Sequence, residues 1–249
     1  MHTAEVLHQQ LLLSQRVAIT QLVCEGYCGA SLAAMVDVNA EPTDNVYTDL
    51  NDYSGCADVI IDFSHHSAVS SLLPYAVKHS IPVVIATTGH TEEEKALMAE
   101  ASTKIPLFHS ANMSLGVATL AALVKKTASL FPDADIEIIE KHHTNKLDAP
   151  SGTALMLANA ICEVRPDAYV NTGRSGMGKR DKNEIGISAL RLANVVGEHE
   201  VIIATGTQTI TLKHEAHSRS LFAEGAIAAA DFLKNKPTGF YTISDMIAP

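Results

Sequence analysis

Residues Ile136 to Ala154 read I-E-I-I-E-K-H-H-T-N-K-L-D-A-P-S-G-T-A, and the rest of the chain is best read outward from them. Isoleucines mixed with acids from Asp135 to Glu140 have the composition and short span of a strand. The strand ends in two adjacent imidazoles, His142 and His143, with the Lys146 ammonium close behind. Pro150 stops the extended run. Ser151, Gly152 and Thr153 stand just ahead of an apolar helical pattern, Ala154 to Ile161. That is the form of a helix start, where hydroxyls cap and a glycine opens backbone N–H groups to a ligand. One segment thus gathers two candidate proton donors, a fixed positive charge and an anion-binding helix N-terminus. Such a set suits a small carboxylate substrate that must accept a proton. Taken singly, each residue is as well explained by a strand, a turn and a capped helix; their convergence on one point argues for a site.

The whole chain sets bounds on this reading. Its 249 residues hold one large or two small domains with ample core. No stretch approaches the roughly 18 apolar residues of a membrane span, and the first residues lack a basic region and a cleavage site, so a cytoplasmic protein is expected. A net charge of −10 argues against nucleic acid and anionic membranes as partners. An anionic substrate then needs a local cationic pocket. Cys24 and Cys28 have no second pair to complete a zinc site, and with Cys56 and Cys162 they are expected as free thiols. His214 and His217 lie three apart without a partner of metalloprotease form, so no metal is expected.

Ahead of the central stretch, strands alternate with helices. Ser31–Asp37, Asp58–Phe63, Pro82–Ala86 and Ile105–Phe108 read as strands, and Ala68–His79 and Thr91–Lys104 as helices, the second with Glu92, Glu93 and Glu94 in its first turn. This alternation means a parallel sheet of Rossmann type, with ligands beyond the carboxyl ends of its strands. Residues 40–56 read as polar loop with room for a short helix. Asp37 stands where such a fold places the carboxylate that meets an adenosine ribose. Val38 and Asn39 follow, with no cation for a 2′-phosphate, so NADH is expected over NADPH. The start of the chain does not fit the pattern. Residues 4–16 contain no glycine, and their composition favours a helix over a strand and glycine turn; Val17–Glu25 fits a helix end.

Behind the central stretch, Leu115–Leu130 reads as a long helix. Residues 165–183 form a Gly- and Arg-rich loop, read as a substrate-facing flap, an oligomer contact or plain solvated loop. Segments 186–191, 195–204 and 207–214 read as strands that join Ile136–Glu140 in a second, mixed sheet, and Leu221–Lys234 as a helix. The reading is α/β: a Rossmann-type dinucleotide-binding domain, residues 1–113 with 220–249, and an α+β substrate-binding and oligomerisation domain, 114–219. Hinges are expected near Asn112 and Arg219.

From Glu140 to Ala154 the chain closely resembles the signature of the dihydrodipicolinate reductase family, E-x-H-H-x-x-K-x-D-x-P-S-G-T-A, with every fixed position filled. Resemblance continues in the D-F-S strand end, the T-T-G loop, the A-N-M-S turn, Ser218-Arg219 and the C-terminal stretch, and lapses before residue 31. In place of the family's G-x-x-G-R-M-G turn, only Arg16 loosely corresponds. The resemblance implies NADH- or NADPH-dependent reduction of a cyclic dicarboxylate to tetrahydrodipicolinate by a homotetramer. It implies that Phe63, Thr87, Thr88, Gly89, Ala111 and Met113 touch the nicotinamide half of the cofactor. On this reading His142 is the general acid, an imidazole that titrates near neutral pH, and Lys146 supplies charge or relays the proton. His143, Ser151, Gly152 and Thr153 hold the carboxylates. Because successive strand residues face opposite ways, His142 and His143 are open to exchange of roles. The missing glycine turn keeps a rival in play, a dicarboxylate-binding protein of the same fold with impaired catalysis. Another nucleotide-dependent oxidoreductase and a histidine-based metal hydrolase stand behind it.

Overall fold

The computed structural model describes residues 9–14 and 30–248, and the chain divides into two compact units. One takes the chain up to Ser114 and again from Ser220; the other is Leu115–Arg219.

In the first unit β1 (Gln9–Ser14), β2 (Ala30–Val36), β3 (Val46–Tyr47), β4 (Val59–Asp62), β5 (Val83–Ile85), β6 (Pro106–His109) and β12 (Gly239–Tyr241) form one sheet. Its order is β12-β6-β5-β4-β1-β2-β3, and each neighbouring pair is parallel. Parallel strands covered on both faces need unbroken apolar runs. β4 and β5 have them, and every residue in both is buried. α1 (Val69–His79) and α2 (Glu92–Ser102) lie on one face, where Leu72 and Met98 meet Ile60, Ile85 and Leu107. α5 (Ser220–Leu233) lies on the other, where Ala226 and Leu233 meet Val59, Ile61, Val84 and Phe108. Ile60 and its neighbours Val59 and Ile61 thus go to opposite clusters, as the two-residue period of a strand requires. A short α6 (Ile243–Ile247) follows β12. α2 starts as its acids suggested: Thr91 Oγ1 accepts from the Glu94 N–H, and the Glu94 carboxylate accepts from the Thr91 N–H.

One expectation is overturned here. Residues 9–14 are a strand, not part of a helix, and they pair in parallel with β2 on one side and β4 on the other. A central strand satisfies the facing backbone groups of two neighbours at once, and that tertiary demand outweighs local composition. The helix end expected over Val17–Glu25 and the correspondence of Arg16 lie outside the described residues. Within 40–56 the structure places a 3₁₀ turn at Leu50–Asp52 and the two-residue β3.

In the second unit β7 (Asp135–His142), β8 (Tyr169–Asn171), β9 (Glu184–Arg191), β10 (Gly197–Ala204) and β11 (Thr209–Ala216) form a mixed sheet of order β11-β10-β7-β9-β8. β10 runs antiparallel to β7 and β11, while β9 is parallel to β7 and β8. α3 (Leu115–Leu130) and α4 (Gly152–Cys162) cover one face through Leu120, Val124, Leu157 and Ile161 against Ile136, Ile138 and Val201. The loop expected at 165–183 contains β8 and does not face the HH-K stretch. Arg180 bonds Asp135 at 2.8 Å, and Arg174 bonds Glu184 at 2.8 Å and also Glu137. These partners sit at the starts of β7 and β9, with Asp135 seven residues and roughly 23 Å of strand from His142. The ion pairs strap the loop to the far end of the sheet.

Gly225 of α5 packs directly on the Met113 carbonyl, and a Cβ there would run into that oxygen. Gly225→Ala should therefore cost about 3 kcal/mol of stability, read as a lowered urea midpoint with unchanged slope.

Candidate functional site

At the end of β7 the strand period sends Glu140 and His142 inward and Lys141 and His143 outward. Glu140 is fully buried, and both its oxygens are engaged. Oε2 accepts from His142 Nδ1 at 2.6 Å and from Arg191 Nη1 at 2.9 Å; Oε1 accepts from Arg191 Nη2 at 2.9 Å and the Ser151 N–H at 3.1 Å. A carboxylate at this depth stays ionised only when paired and hydrogen-bonded. Burial pushes its pKa up, but the bonds from Arg191, His142 and Ser151 prevail and hold it below the usual glutamate value. Burial pushes His142 down against the pull of Glu140. With Nδ1–H committed to Glu140, the ring presents Nε2 towards Gly197, where a Cβ would lie 3.1 Å away. Glycine leaves that edge of the imidazole clear.

Ser151 ties the helix start into the same network. Its hydroxyl accepts from the Ala154 N–H at 3.2 Å and meets His199 Nε2 at 3.0 Å. His199 is pushed down to about 4, by burial first and then by His142, so its ring is neutral where it meets the serine hydroxyl. Ser151, expected to hold a ligand carboxylate, is instead buried and spent on the cap and on His199. Two residues escaped the sequence reading. His199 lay inside the strand read over 195–204, and Arg191 carried no signal, because strand register alone sets it opposite His142.

The outer side is cationic. Arg219 Nη2 lies 3.2 Å from His143 Nε2, and Lys146 Nζ lies 2.7 Å from Asp148 Oδ1. Gly152, at the first turn of α4, is exposed, and Thr153 beside it is half-buried. The stretch therefore has a buried Glu140–His142 pair behind and a mouth of His143, Lys146, Arg219 and helix N–H groups in front.

The candidate residues of the first unit gather at its strand ends. Asp37 follows β2, and its Oδ1 accepts from the Asn39 N–H at 2.9 Å. Beside it opens a cleft of about 360 Å³, lined by Val36, Val38, Asp49, Asn51, Ser64 and His65. Thr88, Gly89 and Ala111 are exposed, Phe63 is half-buried, and Gly89 has the left-handed φ of +86° that its turn requires. Thr87 is buried between two histidines: its hydroxyl meets His90 Nε2 at 3.1 Å, and its carbonyl accepts from His109 Nε2 at 3.3 Å. Met113, expected to touch the nicotinamide, is turned into the core at 2% exposure. No described helix is long and apolar enough to cross a membrane.

Two family models match the chain: dihydrodipicolinate reductase, N-terminus, over residues 8–113, and dihydrodipicolinate reductase, C-terminus, over 116–247. The 4-hydroxy-tetrahydrodipicolinate reductase of Caldanaerobacter subterraneus subsp. tengcongensis is 50% identical over 219 residues, 87% of either chain. That of Clostridium perfringens is 37% identical over 234 residues, 92% of either chain. A solved structure of dipicolinate-bound dihydrodipicolinate reductase from Paenisporosarcina sp. TG-14 superposes with a TM-score of 0.82 at 22% identity, over 97% of this chain and all of that one. At that identity the structure speaks for the fold.

Glu140→Gln should expose the worth of the buried network. The folded pKa of Glu140 lies below its unfolded value of about 4.3, so its stabilisation is complete above that pH and is lost as the pH falls through the folded value. The variant should lose about 3 kcal/mol at pH 7, from the stranded Arg191, and show a flatter stability profile below pH 4 in urea titrations.

Proposed function

We propose a division of labour between the two units, on the premise that the chain belongs to the dihydrodipicolinate reductase family. It is an oxidoreductase, and its reaction is the reduction of 4-hydroxy-tetrahydrodipicolinate in lysine biosynthesis. Replacing the 4-hydroxyl by hydrogen takes up one hydride and one proton and releases water.

Enzymes of this family use NADH or NADPH, and a bound reduced nicotinamide supplies the hydride. The first unit has room for such a dinucleotide. The cleft beside Asp37 accommodates an adenosine, whose ribose hydroxyls Asp37 accepts, and Thr88, Gly89 and Ala111, with Phe63, receive the nicotinamide end. Buried Thr87 shapes that loop from beneath. Our reading favours NADH, because Val38 and Asn39 follow Asp37 and no Lys or Arg lines the cleft among the described residues.

In the second unit His143, Lys146, Arg219 and the N–H groups of Gly152 and Thr153 take the two carboxylates of the substrate. His142 delivers the proton from Nε2. Burial keeps it neutral beforehand; two carboxylates arriving nearby favour the charged ring, which Glu140 steadies at Nδ1. The substrate thereby loads its own acid. The observation that carries this reading is the meeting of a Glu140–His142 pair and a cationic mouth at one end of β7. The uncovered face of the mixed sheet, with Ile139, Leu190 and Ile202, supports self-association, read here as a homotetramer. A biosynthetic reductase that draws on a free dinucleotide belongs, on this reading, in the cytoplasm.

His142→Gln should lower kcat about 100-fold with substrate KM nearly unchanged, while His143→Gln should raise KM and spare most of kcat. The reverse pattern in steady-state kinetics would exchange the two roles. A fluorescence titration should show saturable NADH binding, tighter than NADPH. Binding of neither would leave a dicarboxylate-binding protein, the reading that the lack of any glycine before Gly26 favours.

A further inference from the structure

A carboxylate of the chain itself sits in the cationic mouth. Asp148 Oδ1 lies 2.7 Å from Lys146 Nζ. That ammonium is one of the groups assigned above to a substrate carboxylate. The backbone of Asp148 is pinned, because Arg191, locked on Glu140, donates to its carbonyl. Its side chain is not: it is 55% exposed, against 22% for Lys146. A fixed tether thus carries a carboxylate that can swing into water at little cost.

We propose that Asp148 is a tethered competitor, occupying the place of one substrate carboxylate until a ligand displaces it. The inference rests on the mouth being the dicarboxylate site. It gives Asp148 a part in specificity. A monoanion gains little by replacing a carboxylate already in place, whereas a dicarboxylate brings a second anchor that Asp148 cannot match.

The test is a calorimetric cycle with pyridine-2,6-dicarboxylate and pyridine-2-carboxylate on the full chain, using Asp148→Asn, Lys146→Met and the double variant. Asparagine keeps the size and shape of the side chain without its charge. Asp148→Asn should tighten both ligands about fivefold, in line with the loss of one exposed ion pair. The gain should vanish in the Lys146→Met background. Unchanged or weaker binding by Asp148→Asn would overturn the proposal, since Asp148 would then only orient Lys146. An equal gain in both backgrounds would overturn it too, as a general charge effect. Lys146→Met binding the dicarboxylate as tightly as the wild type would remove the mouth as the substrate site, and the competitor with it.

Discussion

A single buried carboxylate governs the second unit. Glu140 has no exposed surface, and a charge so placed is tolerated only if donors surround it. Those donors come from three directions: His142 two residues on along β7, Arg191 at the end of the parallel neighbour β9, and the Ser151 N–H at the start of α4. Satisfying one side chain therefore fixes the tautomer of an imidazole, the register of two strands and the entry of a helix. The cationic mouth inherits its geometry from that arrangement, since Lys146 lies on the turn between β7 and α4, and Arg191 grips this turn at Asp148. Hydrophobic packing of Ile136, Ile138 and Leu157 supplies most of the driving force, but it has no direction. The placing is done by Glu140.

The chain carries a net charge of −10 and nevertheless must attract a dianion. Its second unit meets that need by spending acids locally. Glu137 and Glu184 neutralise Arg174 at one end of the sheet, and Lys141 and Lys213 close on Glu198 across its open face. The positive charge at the end of β7 is carried by Arg219, beside His143, and by Lys146, whose partner Asp148 is more than half exposed, so a small field acts there over a short range.

Much of this was legible in the residues. The unbroken apolar runs of β4 and β5 announced a parallel sheet, the acids of Glu92–Glu94 the first turn of α2, and the H-H-x-x-K…S-G-T stretch a strand, a turn and a helix start. What stayed hidden depends on partners distant in sequence. β1 is a strand because two neighbours leave a strand-shaped gap, a fact absent from Gln9–Ser14 itself. The pairing of Arg191 with Glu140 follows from register. Ser151 turns inward because the buried ring of His199 waits there, and Met113 because α5 packs over it. β3, β8 and β12 have two or three residues each, too few to show any period.

The first unit is written in two pieces, with the second unit between them. Its core is completed only by Ala226, Ile227 and Leu233 of α5, and its sheet edge by β12. During synthesis the inner faces of Val59, Ile61, Val84 and Phe108 leave the ribosome well before the helix that covers them. The stretch between His109 and Ser220 takes on the order of 10 s to translate, and over that interval the contiguous second unit can finish folding while the first cannot. The nascent chain thus spends its youth with one mature domain and one sticky half-sheet, and the burden on chaperones falls on the first unit.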